Sequence, residues 1–365
     1  MTVRFLYLVG QLKAGGSERQ LYYLLRGLKH KQLKPAVCVW NYAEEEVYVA
    51  RLKALDVPVF PLPRHGSRLQ KLRAFRRIVR ELRPEVVHSY SFFTNVAVHV
   101  ATQGMPALAF GSVRSDFLLD RRQLGPLRSR LNARWPRRQI FNSANAFDNA
   151  RRGGGLFVPA ACRVVRNGID LDAFRPTARR SEGAVRVLGV GWLVSLKRWD
   201  RLIRAAAALK AQGLAFRVQI VGEGALRADL EAQVRTAALQ DCVALPGYLA
   251  DIPAAMQAAD FLVHPSDTEG CPNVVMEAMA CGLPVIANRV GESTALVEDG
   301  ETGFLIDAGD EAALVDRMSR LIEQPALRER MGARGRAVAE KAFGLAYFVE
   351  AMLDAYEALG WNAQA

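Results

Sequence analysis

The residues best suited to chemistry lie in one stretch of the back half of the chain, HPSDTEGCPNVVMEAMACGLPVIA. Glu269 stands in the loop after an apolar run, and Glu277 follows eight residues later in a helix expected to begin near Val274. Backbone N–H groups at the start of a helix favour anionic oxygens, and neighbouring carboxylates accept hydrogen bonds from hydroxyl groups. Taken singly, Glu277 is better explained as a partner of the helix dipole, and Glu269 as a solvated loop residue.

A glycine pair near the N-terminus is a second candidate. The stretch GQLKAGGSER places Gly15 and Gly16 between the first predicted strand and a helix that begins near Ser17. A Gly-rich turn at a helix N-terminus lets the backbone approach a phosphate group closely. Such a turn is equally common as a simple tight connection, so the pair alone does not decide between the two.

Two series of strands and helices are predicted to position these residues. Short apolar, β-rich runs alternate with longer helical stretches, which is typical of parallel sheets with crossover helices. The front-half strands are predicted at Val3–Val9, Ala36–Trp40, Val57–Phe60, Val86–Ser89, Ala107–Gly111 and Gln139–Asn142. The back-half strands are predicted at Val185–Val190, Ala215–Val221, Val243–Leu245, Asp260–His264, Pro284–Ala287 and Gly303–Ile306. Two such series in 365 residues predict two doubly wound domains, which bind ligands outside the carboxyl ends of their strands.

A segment rich in turn-forming residues marks the predicted boundary between the domains. Cys162–Pro176, CRVVRNGIDLDAFRP, carries Asn-Gly, Asp and Pro between the two series. We therefore predict an N-terminal domain over 1–166 and a C-terminal domain over 167–345. Residues 346–365 are predicted to form an amphipathic helix that can cap either domain, packing back on the N-terminal domain being one arrangement.

The charge of the chain is divided unevenly between these domains. The formal net charge is +12, yet residues 1–166 hold 29 basic and 10 acidic side chains, against 20 and 27 in the rest. Arg64–Arg83 and Arg121–Arg138 combine most of the excess with apolar residues at helical spacing, which suits an anionic membrane surface. The alternatives are a solvated Arg-rich face and packing of the apolar stripes on the sheet. Nucleic acid is a less favoured partner because no known nucleic-acid module is present.

Cysteine usage and hydropathy indicate the compartment. The five cysteines lie far apart without a CxxC pair, which argues against disulfides or a thiolate zinc site. No stretch approaches the ~18 apolar residues that cross a bilayer, and the N-terminal apolar run is better explained as a strand than as a signal peptide. We expect a cytoplasmic protein, peripheral at the inner face of the cell membrane.

The order of the motifs resembles one family along nearly the whole chain. The stretch around Glu269 resembles the EGxPNxxxEAMAxGxPV signature of retaining GT-B glycosyltransferases of the GT4 type (glycosyl transferases group 1). GGSER, VVRNGIDLDAFRP, VLGVGWLVSLKRWDRLI, VGEGALRADLE, PGYLADIPAAMQAAD and VEDGETGFLI occur in that family's order. The resemblance implies an α/β fold of the GT-B type, with two Rossmann-like doubly wound domains facing a central cleft. It also implies that the acceptor binds the N-terminal domain and a nucleotide sugar the C-terminal domain.

The resemblance carries particular roles to this chain. It implies that Glu277 binds the donor ribose, that Glu269 binds the donor sugar near its anomeric carbon, and that Lys197 neutralises the diphosphate leaving group. The remaining donor-binding residues it implies are Gly15, Gly16, Arg198, Gly270, Cys271, Pro272, Asn273 and Val274. Neither a metal ion nor a cofactor is expected.

The sequence also departs from the family pattern. Trp192 stands where the family has a diphosphate-binding Arg. Arg198, which follows Lys197 where the family usually has Gly, is a candidate substitute, and Arg19 is another. The family's HxH pair is His88 and Tyr90 here. Both join Glu269 and Lys197 as candidate catalytic residues, although His88 is also well explained as a buried strand-end residue. The acceptor-side candidates are Tyr90, Asn95 and Asp116.

Together these features predict a metal-independent, retaining glycosyltransferase. The expected reaction moves a hexosyl or N-acetylhexosaminyl group from a nucleotide diphosphate sugar, with a UDP-sugar favoured. The expected acceptor is an anionic or lipid-linked glycan at the cytoplasmic membrane face. The alternatives are a catalytically degenerate GT-B protein that binds a glycolipid or a partner, suggested by Tyr90 and Trp192, and a nucleotide-sugar epimerase.

Overall fold

The computed structural model describes residues 3–153, 158–177 and 183–363, and the chain divides into two compact units. The N-terminal unit is Met1–Gly168 together with Leu345–Ala365, and the C-terminal unit is Ile169–Gly344. Each unit has a parallel sheet with helices as crossover connections, so the predicted fold class of two Rossmann-like domains is confirmed.

Within its described residues, the N-terminal unit has a seven-stranded sheet in the order β3-β2-β1-β4-β5-β6-β7. The strands are β1 (Phe5–Val9), β2 (Pro35–Val39), β3 (Val59–Pro61), β4 (Val86–Ser89), β5 (Leu108–Val113), β6 (Arg138–Phe141) and β7 (Ala161–Val164). Every residue of β1 and β2 is buried, as expected of parallel strands covered on both faces. Strand β7 was not predicted, because this half-exposed edge strand has no continuous apolar run.

Among its described residues, the C-terminal unit has a six-stranded parallel sheet in the order β10-β9-β8-β11-β12-β13. Its strands are β8 (Val185–Val190), β9 (Phe216–Val221), β10 (Val243–Gly247), β11 (Phe261–His264), β12 (Val285–Asn288) and β13 (Gly303–Ile306). All six were predicted at these places. Buried aliphatic and aromatic side chains cover both faces of the sheet, and β11, β12 and β13 are buried along their whole length. Strands β8 and β9 expose Arg186, Arg217 and Gln219.

The helices alternate with the strands in chain order. The N-terminal unit contains α1 (Gly16–His30), α2 (Val47–Ala54), α3 (Arg68–Leu82), α4 (Asn95–Thr102), α5 (Phe117–Leu124), α6 (Pro126–Arg134) and α7 (Ala144–Arg152). The C-terminal unit contains α8 (Trp199–Ala211), α9 (Arg227–Thr236), α10 (Ile252–Gln257), α11 (Asn273–Ala280), α12 (Ser293–Leu296), α13 (Glu311–Glu323) and α14 (Pro325–Ala342). The last helix, α15 (Leu345–Ala358), returns to the N-terminal unit.

Helix α15 is part of the N-terminal core. Its Phe348, Met352 and Tyr356 are buried in the same cluster as the strand residues Phe5 and Tyr7. It packs against α1 at Gly27, where any Cβ atom would clash with the side chain of Val349. The amphipathic pattern of this segment therefore buries its apolar face against the first strand and the first helix of the chain.

Both sheets contain a point where the strand order reverses, between β1 and β4 and between β8 and β11. In doubly wound sheets the loops after such strands form the ligand-binding edge. The residues that directly follow these four strands are therefore the first place to look for a site in each unit.

Candidate functional site

A charged cluster lies at the carboxyl ends of β8 and β11 in the C-terminal unit. The Glu269 Oε1 atom accepts hydrogen bonds from Lys197 Nζ at 2.5 Å and from His264 Nε2 at 2.8 Å. Lys197 ends a short 3-10 helix, Ser195–Lys197, in the loop after β8, and His264 is the last residue of β11. The pairing of β8 with β11 thus brings together groups that are 72 residues apart in the chain.

The protonation states within this cluster follow from burial and charge. Burial alone would raise the pKa of Glu269, but the charge of Lys197 and the hydrogen bonds from Lys197 and His264 outweigh it and hold this pKa well below its usual range. Burial lowers the pKa of His264. At neutral pH the cluster is therefore an ionised carboxylate held by Lys197 and by the N–H of a neutral imidazole.

Close backbone packing holds the two loops in place. Gly291 has a φ of +55°, and a Cβ atom there would clash with the carbonyl oxygen of Glu269. In the loop after β9, Gly222 has a φ of +149°, and a Cβ atom there would clash with the carbonyl oxygen of Gly191. Only glycine combines a positive φ with the absence of a Cβ atom at these two positions. The close contacts restrict the movement of the loops that carry Lys197 and Glu269.

The predicted donor-binding residues after Glu269 surround the start of α11. Gly270 and Cys271 continue the loop, Pro272 is the N-cap residue, and Asn273 and Val274 form the first turn. The first N–H groups of a helix have no acceptor within the helix, so this end can bind anionic oxygens. Glu277 lies buried one turn further along α11.

Arg198 is occupied by carboxylates instead of joining the Lys197–Glu269 cluster. Its guanidinium bonds to both carboxylate oxygens of Asp200 and to Asp267 at 3.0 Å, and these bonds raise its pKa. Its φ of +53° is left-handed, which explains the usual glycine of the family at this position. Trp192, in contrast, leaves 60% of its surface exposed directly after Gly191.

In the N-terminal unit, Gly15 caps the N-terminus of α1 and Gly16 begins the helix. The Glu18 carboxylate lies against this turn, so closely that a Cβ atom at Gly15 would clash with it. Burial raises the pKa of Glu18. A phosphate that approaches the two glycines therefore meets a carboxylate already placed at the positive end of the helix dipole.

His88 belongs to a buried hydrogen-bond network. Its Nδ1 bonds to Tyr356 Oη and its Nε2 to Ser112 Oγ, each at 2.7 Å, and Tyr356 Oη also bonds to Tyr7 Oη at 3.0 Å. Burial, with a smaller contribution from the charge of Arg114, lowers the pKa of His88 to about 3. Both ring nitrogens are in use, so we place His88 among the structural residues of the domain core.

The three acceptor-side candidates have different surroundings. Tyr90 is buried, its hydroxyl has no hydrogen-bond partner in the part of the chain that the structure describes, and burial raises its pKa to about 12. Asn95 is buried and uses its amide to bond to the backbone of Ser112 and Asn132. Asp116 caps α5 by accepting a bond from the backbone N–H of Leu119. Asn95 therefore joins α4 to β5 and α6, and Asp116 stabilises the start of α5.

Two further residues were not singled out from the sequence. His264 is the last residue of β11, and Arg114 directly follows β5. A polar residue at the carboxyl end of a buried parallel strand is the signal that could have identified both.

The basic segments differ in what they expose. On α3, Phe75 and Val79 pack on the sheet, as the packing alternative predicted, and Leu69 in the first turn is exposed. On α6, Leu127 and Leu131 are 69% and 42% exposed and alternate with exposed Arg128, Arg130 and Arg134. None of the helices in the described ranges is long and apolar enough to span a bilayer.

Comparison with known families and structures gives consistent matches. The model of the glycosyl transferases group 1 matches residues 172–338, and that of glycosyltransferase family 4 matches residues 14–173. The two matches are adjacent and together cover residues 14–338, which confirms the family resemblance seen in the motifs.

Among curated proteins, the chain is 28% identical over 350 residues to a D-inositol 3-phosphate glycosyltransferase of Pseudarthrobacter chlorophenolicus, covering 89% of this chain and 81% of the relative. It is 33% identical over 209 residues to the protein of the same name from Arthrobacter sp. strain FB24, covering 53% of this chain. That match spans about half of the Arthrobacter protein, 49% of its length. Among solved structures, Anabaena HepE in complex with UDP has a TM-score of 0.84 at 21% identity, with 98% of this chain and 100% of that chain covered.

Proposed function

This chain belongs to the glycosyl transferases of group 1 and family 4, and we propose that it transfers a hexosyl or N-acetylhexosaminyl group from a UDP-sugar with retention of configuration. The observation that carries the proposal is the cluster of Lys197, Glu269 and His264 beside the N-terminus of α11. It combines one fixed positive charge, one ionised carboxylate and a helix end. Those are the groups that a diphosphate and a sugar require.

The proposed reaction uses these groups in separate roles. Lys197 and the first turn of α11 stabilise the negative charge that develops on the departing diphosphate, so that no metal ion is required for this task. Glu269, held ionised by its two neighbours, accepts hydrogen bonds from hydroxyls of the transferred sugar. Glu277 binds the ribose. The acceptor hydroxyl attacks on the face from which UDP departs, which retains the anomeric configuration.

We propose that the acceptor binds the N-terminal unit and is an anionic or lipid-linked glycan at the cytoplasmic face of the membrane. The exposed leucines and arginines of α6 support this proposal, because apolar and basic residues on one short helix suit an anionic lipid surface. An open cavity of about 560 Å³ between the loops after β1 and β2 offers room for polar groups, and Lys13, Asn41 and Arg64 contribute to its lining.

A donor screen with a matched site variant tests the proposal. UDP should raise the unfolding temperature more than GDP, and one UDP-sugar should label an acceptor in a membrane extract. Glu277→Ala should abolish donor binding or turnover, whereas Glu329→Ala, at an exposed glutamate of α14, should change neither. If Glu277→Ala had the same kinetics as the wild type, the assignment of Glu277 to the donor site would be wrong.

The same screen separates the alternatives. Absence of donor binding and turnover, with vesicle binding retained, would support a non-catalytic glycolipid-binding protein. A new nucleotide sugar formed without acceptor would indicate an epimerase. The anomeric coupling of the product, measured by NMR, reports configuration, and inversion would contradict the retaining mechanism.

A further inference from the structure

Among the described residues of the N-terminal unit, a buried arginine has no counter-ion. Arg114 is only 8% exposed, and its Nη2 donates one hydrogen bond, at 2.8 Å, to the Oδ1 of Asn167. Its Nε and Nη1 atoms are buried without any acceptor. Within the described part of the chain no carboxylate pairs with it, and the guanidinium instead lies 4.1 Å from the ring centroid of Tyr90.

This arrangement is unfavourable for folding alone. A guanidinium stays charged at any pH that proteins tolerate, and removing it from water is costly unless a counter-ion or a full set of acceptors replaces the water. A neutral amide and an aromatic face replace only part of that solvation. Two buried donor atoms without acceptors therefore point to a partner that binds from outside the chain.

The position of the arginine in the fold agrees with a ligand site. Tyr90, Arg114 and Asn142 directly follow β4, β5 and β6, which are neighbours in the sheet, and Asn167 comes three residues after β7. These residues share the carboxyl edge, where doubly wound domains bind their ligands. The Tyr90 hydroxyl and the Asn142 Oδ1 atom are also buried and have no hydrogen-bond partner in the described ranges, so the same place holds an unused donor and an unused acceptor.

We propose that Arg114, with the hydroxyl of Tyr90, binds an anionic group of the acceptor, either a carboxylate or a phosphate. The planar guanidinium matches both groups, because each presents oxygens at the spacing of its N–H donors. That this ligand is the acceptor rests on the proposed function, whereas the anion site itself does not. Binding of an anion by Arg114 also gives a function to the tyrosine directly after β4, because the Tyr90 ring packs against one face of the guanidinium.

Calorimetric titration of the full chain with three sugars tests this inference. The probes are methyl β-D-glucuronide as the carboxylate, glucose 6-phosphate as the phosphate, and methyl β-D-glucoside as the neutral reference. Each is titrated with and without saturating UDP, so that occupation of a donor site is separated from binding at Arg114. We expect saturable binding of one or both anionic sugars. The probe that binds shows whether the anionic group of the acceptor is a carboxylate or a phosphate.

Arg114→Met should weaken that binding by about 10- to 100-fold, because it removes charge-assisted hydrogen bonds. Arg152→Met, which removes an exposed arginine of the same unit, should bind like the wild type. Arg114→Lys keeps the charge but loses the planar donor set. It should bind several-fold more weakly than wild type and provides the test if the methionine variant fails to fold.

Absence of saturable binding by either anion would overturn the inference, as would equal affinity for the neutral sugar or unchanged affinity in Arg114→Met. These readouts are independent of donor turnover. A protein that turns over no donor but binds an anion through Arg114 would refute the proposed function and leave the site standing.

Discussion

At the scale of single residues, the C-terminal and N-terminal units place their titratable groups differently. Lys197 and Glu269 are partly accessible and paired, so a substrate can exchange partners with them. His88 and Tyr356 are fully buried and bond only to other buried groups. The first pair is therefore suited to binding charge, and the second to holding a core together.

Lys197 is expected to act on the chemical step. Lys197→Met should lower kcat for UDP release by about 100- to 1000-fold, the usual loss when one fixed electrostatic donor is removed. Lys210→Met removes an exposed lysine that bonds to Asp241 in the same unit and should leave kcat unchanged. Steady-state kinetics with the donor found by the screen provides the measurement. An unchanged kcat in Lys197→Met would exclude the assigned role.

His88 is expected to make the protein sensitive to acid. Its folded pKa of about 3 lies below the usual value of 6.5, so its contribution to stability is present above pH 6.5 and is lost as the pH falls from there towards 3. Between pH 6.5 and 5.0 the loss from this one group should be about 1.5 kcal/mol.

Urea unfolding of the wild type and of His88→Gln at the two pH values measures this loss. The variant is less stable at both values because it breaks the buried network, but its stability should fall less on acidification. Buried His264 titrates in the same direction in both proteins and cancels from the comparison. An equal pH dependence of the two proteins would show that His88 does not titrate with unfolding.

At the scale of elements, the last helix completes the N-terminal domain. Helix α15 buries Phe348 and Tyr356 against residues of β1, and Gly27 of α1 allows the two helices to approach closely. Gly168, just before the boundary between the units, likewise leaves no room for a Cβ atom beside Phe348. The position of α15 is therefore specified by steric fit as well as by hydrophobic burial.

Gly27→Ala should destabilise the protein by about 1–3 kcal/mol, because the added methyl group clashes with Val349 in a packed interface. The matched control is Gly335→Ala within α14, where the new Cβ atom would lie 3.6 Å from the nearest side-chain atom. That variant should be neutral or more stable by up to about 1 kcal/mol. Chemical denaturation measures both, and Val349→Ala should relieve the effect of Gly27→Ala.

At the scale of the whole molecule, the charge is divided between the two units. Counted by the units that the structure defines, the N-terminal unit carries +16 and the C-terminal unit −4. The acidic C-terminal segment lowers the charge of the N-terminal unit, and Glu350 pairs with Lys31 at 2.5 Å. The positive charge that remains on the N-terminal unit attracts polyanions at long range.

The chain should therefore bind anionic vesicles and not neutral ones. Sedimentation with phosphatidylglycerol vesicles at low salt should recover the protein, high salt should release it, and phosphatidylcholine vesicles should leave it in solution. Equal binding to both lipids, or none to either, would contradict the membrane proposal.

A pair of charge-matched variants locates the contact. Arg128→Glu with Arg130→Glu on α6 should weaken vesicle binding by about thirtyfold or more, since each basic contact contributes about 1 kcal/mol. Arg80→Glu with Arg83→Glu at the C-terminal end of α3 makes the same change of charge far from the exposed leucines of α6 and three turns from the exposed Leu69, and should weaken binding less. An equal effect of the two pairs would indicate general attraction without a contact at α6.

The sequence by itself predicted twelve of the thirteen described strands and the two α/β series, because apolar runs and turn residues act locally. The site residues Glu269, Glu277 and Lys197 were predicted from the resemblance of the motifs to the family. The sequence did not reveal β7, whose half-exposed edge lacks an apolar run, nor the surface against which the apolar face of α15 packs. The tertiary structure alone decided which partners meet. Lys197 reaches Glu269 because β8 pairs with β11, His88 is enclosed because α15 brings Tyr356 to it, and Arg114 is left without a counter-ion. Charge and burial at each place depend on chain segments far apart in sequence, so only the folded chain shows which buried polar groups have partners within the described residues and which do not.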